Sequence, residues 1–252
     1  MKQQYFIEVH SGLSALLADK SNLYQGLWLS SLTNSAIKGI PDNEIVSIQE
    51  RIELVREVRN VSQKPIMVDA DTGGSIEHFP YWVKQFEKAG VNYIMIEDKC
   101  FPKKNSLLDG VIQELEDVDI FSQKIKVGKE ITKNIKIYAR LESLIAKKSM
   151  HEAFIRADAY IKAGADGIMI HSKQKVECTE VMEFAEKFKK EYPNIPLAAV
   201  PTTYILPNEN PFDIIIHANY LLRASLKAMQ NYFDGKNPEL ASVEDIFNIV
   251  GK

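Results

Sequence analysis

The residues best equipped for chemistry lie between positions 67 and 106, where two apolar runs of strand length each end in acids. The first reads Met67-Val68-Asp69-Ala70-Asp71-Thr72-Gly73-Gly74. The second, beyond an amphipathic stretch, reads Ile94-Met95-Ile96-Glu97-Asp98-Lys99-Cys100-Phe101-Pro102-Lys103-Lys104-Asn105-Ser106. Carboxylates at the ends of neighbouring buried strands are costly to desolvate unless something positive sits between them. Oxygen-only ligands with open positions suit Mg²⁺, so Asp69, Asp71 and Glu97 read as a candidate magnesium site. Taken singly, each segment also fits a helix cap or a solvated turn. Together they occupy the places where an α/β fold puts its chemistry.

The elements that must position these groups follow from the pattern. Short apolar runs at 5–9, 27–29, 66–68, 93–96, 135–139, 167–170, 197–200 and 214–216 alternate with longer stretches such as 43–59, 78–89, 150–163 and 177–191, whose apolar residues recur three and four apart. Gly26, Gly90 and Gly164 each fall between a helical pattern and the next strand, as helix-ending glycines do. Eight strands alternating with helices in 252 residues predict a single (β/α)₈ barrel of the TIM type. A barrel demands reactive groups just after its strands. In strand order those positions hold His10, Ser30, Asp69 with Asp71, Glu97, Arg140 with Glu142, His171, Thr202 and Asn219. Arg140 is suited to grip a phosphate or carboxylate in two-pronged fashion, with Ser30 and nearby amides for a second anionic group. The other histidines, His10, His78, His151 and His217, read as structural or surface residues.

Composition narrows the function. With 45% hydrophobic and 26% charged residues the chain has an ordinary soluble composition, and a net charge of -3 offers no footprint for nucleic acid. No apolar run approaches the ~18 residues of a membrane span, and the first residues lack a signal-peptide core. Two cysteines, Cys100 and Cys178, build neither a disulfide framework nor a zinc site, which points to a reducing cytoplasm. No linker divides the chain, so 1–252 reads as one domain. Two further helical patterns, 219–233 and 242–250, follow the eighth strand, making 236–252 a carboxy-terminal extension that serves as an oligomerisation arm or as a cover on the barrel.

At these residues the chain resembles the phosphoenolpyruvate mutase/isocitrate lyase superfamily, with the mutase branch nearest. The motifs are Glu97-Asp98-Lys99 followed by Lys103-Lys104-Asn105-Ser106, together with Gly26-Leu27-Trp28-Leu29-Ser30, Asp69-Ala70-Asp71-Thr72-Gly73-Gly74, Ala139-Arg140-Leu141-Glu142 and Ile170-His171-Ser172. The resemblance implies a barrel that uses Mg²⁺, with Mn²⁺ as a substitute, to interconvert phosphoenolpyruvate and phosphonopyruvate. It also implies a homo-oligomer, a dimer of dimers with carboxy-terminal helices exchanged between subunits. By motif position, Asp69 holds the metal most directly, with Asp71 and Glu97 in support. Asp42 stands beside the reacting centre. Trp28, Ser30, Ser31 and the amide near Leu32 cradle the pyruvyl carboxylate, although Ser31 stands where a glycine is typical. Asn105, Ser106, Arg140 and His171 surround the phosphoryl group, and Lys103 rides on a gating loop. The lyases carry a catalytic Cys at the position of Asn105, which argues against their chemistry. Phosphonopyruvate hydrolases share the same motifs and differ in admitting water, so they stay open, as does a non-catalytic binder that would have no need of Asp42.

Overall fold

The computed structural model describes residues 2–236 and 239–251. Its elements in chain order are β1 (Gln4–Glu8), α1 (Gly12–Lys20), β2 (Gly26–Leu29), α2 (Ser31–Ala36), α3 (Ile48–Arg59), β3 (Ile66–Asp69), α4 (Phe79–Lys88), β4 (Tyr93–Glu97), α5 (Val118–Ile131), β5 (Lys136–Leu141), α6 (Met150–Lys162), β6 (Gly167–Ile170), α7 (Thr179–Glu191), β7 (Leu197–Ala199), β8 (Ile214–His217), α8 (Tyr220–Phe233) and α9 (Val243–Val250). The eight strands are parallel and close into a barrel in sequence order, β8 pairing with β1. This is the expected (β/α)₈ architecture. No helix among the described residues is long and apolar enough to cross a membrane.

Strand alternation decides which residues reach the site. Phe6, Trp28, Met67, Met95, Tyr138 and Met169 pack together in one buried cluster inside the barrel, while their neighbours in sequence pack outward against the helices. Two residues further along each strand, the same inward face presents Glu8, Ser30, Asp69, Glu97, Arg140 and His171. An apolar floor therefore carries a polar layer directly above it.

Two glycines make room for that floor. A Cβ on Gly26 would lie 2.2 Å from the Phe6 ring, and one on Gly167 would lie 2.3 Å from the Tyr138 ring. Gly26 is thus a close-approach glycine opening β2 and not the helix end expected of it, since α1 has already stopped at Ser21. Gly90 and Gly164 do end α4 and α6 with left-handed φ of 88° and 102°.

The helix expected over 43–59 starts late. Ser47 and Glu50 form a reciprocal cap that fixes the start of α3, and 43–47 is loop. At the carboxy terminus, α8 and α9 bury no residue, and Leu226, Met229, Phe233, Ile246, Phe247 and Val250 are exposed although α9 lies alongside α1. Asn237, Pro238 and Lys252 of the expected 236–252 extension lie outside the described residues.

Candidate active site

The carboxy-terminal mouth of the barrel holds a small, partly open cavity of about 40 Å³. Its lining includes Trp28, Ser30, Ser31, Leu32, Asp42, Asp69, Lys103, Asn105, Ser106, Arg140 and His171, brought together from six segments of the chain. Thr202 and Asn219, which follow the last two strands, line it as well. Asp71 and Glu97, expected beside Asp69, are buried behind the lining.

Each group is placed by a local device. Ser30 caps α2, its hydroxyl accepting from Thr33 N–H at 3.3 Å. The amides of Ser31 and Leu32 in that first turn have no helical acceptor of their own. The Ser31 hydroxyl donates to Asp69 Oδ2 at 2.9 Å and accepts from Lys103 Nζ at 2.9 Å. The serine in the glycine position thus braces an acid and a lysine. Trp28 Nε1 is buried without an acceptor in the protein, so it is available to a ligand.

The loop after β4 folds into the mouth. Lys103 Nζ lies 2.7 Å from Asp71 Oδ1 and 3.2 Å from Asp42 Oδ2, and Asn105 Nδ2 donates to Asp42 Oδ2 at 2.7 Å. Ser106 donates to Glu142 Oε2 at 2.6 Å and accepts from Lys99 Nζ at 2.6 Å and from Arg140 at 3.2 Å. Arg140 also pairs through Nε with Glu142 and approaches Asp69 at 3.6 Å and Glu97 at 3.5 Å. His171 Nδ1 stands 2.7 Å from Glu142 Oε1 and 2.8 Å from Arg140 Nη2. A protonated Nδ1 donates to Glu142; an unprotonated one accepts from Arg140.

Charge in this cluster is unbalanced. Five carboxylates (Asp42, Asp69, Asp71, Glu97, Glu142) face four cations (Arg51, Lys99, Lys103, Arg140), all linked by ion pairs. Burial alone would raise Asp69, but Lys103, Arg140 and Arg51 outweigh it and hold its pKa below the ordinary value. Glu142 is held well below the carboxylate range as Arg140, His171 and Lys99 overcome burial. Burial and the Arg140 charge push His171 below its ordinary value, against the opposing pull of Glu142. Glu97 is the exception. Burial pushes it up to about 7, and neither of its oxygens has a hydrogen-bond partner.

The donor types suit a divalent cation: Glu97 offers two orphaned carboxylate oxygens close to the acids Asp69 and Asp71. Among the described residues, no three acids or imidazoles converge on one point, because the Lys103 ammonium and the Arg51 and Arg140 guanidinium groups stand among them.

The raised Glu97 predicts a pH effect in excess chelator. Its folded pKa lies above the ordinary 4.5, so its contribution to stability is intact below pH 4.5 and is lost as pH rises through 7. The loss is on the order of 3 kcal/mol. Thermal melts of Glu97→Gln should therefore gain several degrees on wild type between pH 5 and pH 8. A difference that stays flat over that range would contradict the raised pKa.

Residues 2–235 match the family profile for phosphoenolpyruvate phosphomutase. The chain belongs to that family. It is 35% identical to the phosphoenolpyruvate phosphomutase of Tetrahymena pyriformis over 98% of this chain and 87% of the relative. Among solved structures it is similar to the phosphoenolpyruvate phosphomutase of Streptomyces platensis subsp. rosaceus, with a TM-score of 0.91 and 29% identity over 100% of this chain and 91% of the other. It is also similar to a phosphonopyruvate hydrolase solved with oxalate and Mg²⁺, with a TM-score of 0.85 and 31% identity over 99% and 90%. These relatives are enzymes. Their near-equal identities leave the reaction itself to be settled by the site.

Within the family frame, several residues carry roles that motif reading did not assign. The Glu-Asp-Lys triplet splits by strand alternation. Glu97 faces inward; Asp98 accepts from Glu142 N–H at 2.8 Å, Tyr160 at 2.9 Å and Arg156 at 3.1 Å. Lys99 bonds Ser106 and the Lys104 carbonyl. Arg51, in the first turn of α3, donates to the Asp69 carbonyl at 2.8 Å and pairs with Asp71. Glu44 accepts from both Thr72 and Lys103. Lys99 and Asp98 stood in the quoted motif, whereas nothing local marks Arg51 or Glu44.

Proposed function

We propose that this protein is a cytoplasmic, Mg²⁺-dependent phosphoenolpyruvate mutase, which moves a phosphoryl group between the enol oxygen and C3 of one substrate molecule. The observation that carries this reading is the loop after β4, which delivers Lys103, Asn105 and Ser106 into the lining of the mouth beside Asp42, Arg140 and His171. A phosphoryl group passing through a loose, metaphosphate-like state needs positioning, neutralisation and protection from water.

The chain's own groups supply these. Arg140, Asn105, Ser106 and His171 surround the phosphoryl oxygens, and Ser30, Ser31, Trp28 and the Leu32 amide receive the carboxylate. Asp42, held by Asn105 and Lys103, stands at the reacting centre. Asp69 would hold Mg²⁺, or Mn²⁺ in its place, with Asp71 and Glu97 in support. When bound, the metal would supply positive charge against the developing enolate.

The test is ³¹P NMR of phosphonopyruvate with protein and Mg²⁺. Phosphoenolpyruvate is the expected product; inorganic phosphate would mean a hydrolase, and no change a binder.

We also propose that the protein is a homo-oligomer, a dimer of dimers joined through α8 and α9. Its support is the row of exposed apolar residues on both helices. Light scattering at micromolar concentration should give a tetramer; a monodisperse monomer would contradict it.

A further inference from the structure

Glu44 joins two loops on either side of the site. Its Oε1 accepts from Thr72 N–H at 3.1 Å and from the Thr72 hydroxyl at 2.8 Å, while its Oε2 accepts from the main-chain N–H of Lys103 at 2.6 Å. Thr72 directly follows Asp71, and Lys103 is the centre of the loop that enters the mouth. Glu44 adopts a left-handed φ of 62°, a costly conformation for a long side chain that persists where the surroundings fix it.

Two kinds of contact hold the loop after β4 inward, and they differ in kind. Asn105 and Lys103 Nζ reach Asp42 inside the cavity, where an anionic substrate competes for the same groups. The Glu44 bond goes to the backbone of Lys103 from outside the cavity lining, so it survives any reorientation of the lysine side chain.

We infer that Glu44 is the latch that keeps the loop after β4 shut, a positioning residue that sets how completely the closed site excludes water. Its effect on the loop stands by itself. Its effect on products rests on the phosphoryl-transfer reading given above. With the latch gone, the closed loop is less populated, and more of the phosphoryl group is captured by water instead of enolate carbon or oxygen.

The test compares wild type, Glu44→Ala and the isosteric Glu44→Gln by two readouts. The first is trypsin cleavage after Lys103 and Lys104, followed by mass spectrometry; the Lys104 side chain is 51% exposed and gives the protease a handle. Loss of a charge-assisted bond to an amide should speed nicking of Glu44→Ala about tenfold or more with its melting curve unchanged. Glu44→Gln, which keeps one accepting oxygen, should fall between. The second readout is the share of phosphate among products from phosphonopyruvate and Mg²⁺, which should rise in the same order. Nicking of folded Glu44→Ala within twofold of wild type overturns the latch, and where that variant does not fold, wild-type nicking in Glu44→Gln does so. Faster nicking with an unchanged phosphate share overturns the claim about water. If wild type turns over neither substrate, the functional reading fails while the nicking ratios still decide the latch.

Discussion

Replacing Asn105 with Ala is expected to lower turnover on the order of 10²-fold or more, the scale set by removing one preorganised donor to a developing anion. Asn105 Nδ2 reaches Asp42 Oδ2 at 2.7 Å, and its Oδ1 accepts from Leu107 N–H at 2.9 Å, so the amide is fixed at both ends before substrate arrives. Steady-state kinetics on phosphonopyruvate check this, with kcat falling more than KM rises. A variant within threefold of wild type in kcat would remove Asn105 from the reacting centre.

A larger loss is expected from Asp69→Ala. Asp69 is the one proposed metal ligand that lines the cavity, and the several kcal/mol that a bound cation lends to an enolate correspond to about 10³-fold or more in rate. The variant should stay folded. Arg51 grips the main-chain carbonyl of residue 69 and not its carboxylate, and removing one acid leaves four carboxylates facing four cations. Turnover with titrated Mg²⁺ or Mn²⁺, alongside a thermal melt, separates the outcomes. Full activity in Asp69→Ala, or in wild type under excess chelator, would overturn the assignment.

Much of this site was legible because a barrel turns linear order into geometry. Once each strand's inward face was known, Asp69, Arg140 and His171 had to stand above Met67, Tyr138 and Met169. What escaped were partners chosen by three-dimensional packing. Arg51 lies in the first turn of α3 among other charged residues, and only the approach of that helix end to the end of β3 reveals its pairing with Asp71. Glu44 was hidden inside a stretch whose spacing mimics a helix, until the Ser47 cap showed that 43–47 is loop. Glu142 was visible as an acid at the end of β5, but its role depends on side chains arriving from two other segments: Lys99 and Ser106 of the loop after β4, and His171 after β6. Glu97 and Asp71 read as strand-end acids in support of Asp69. Their retreat behind the lining reflects cations that no local pattern announces.

In the mutase reading proposed above, the loop after β4 keeps water from the phosphoryl group. The most direct measurement of this is the product partition of wild-type protein with phosphonopyruvate and Mg²⁺, followed by ³¹P NMR while phosphoenolpyruvate is trapped enzymatically as it forms. Nearly all consumed phosphonopyruvate is expected to appear as trapped phosphoenolpyruvate; pyruvate and inorganic phosphate as the main products would rule out the mutase reading.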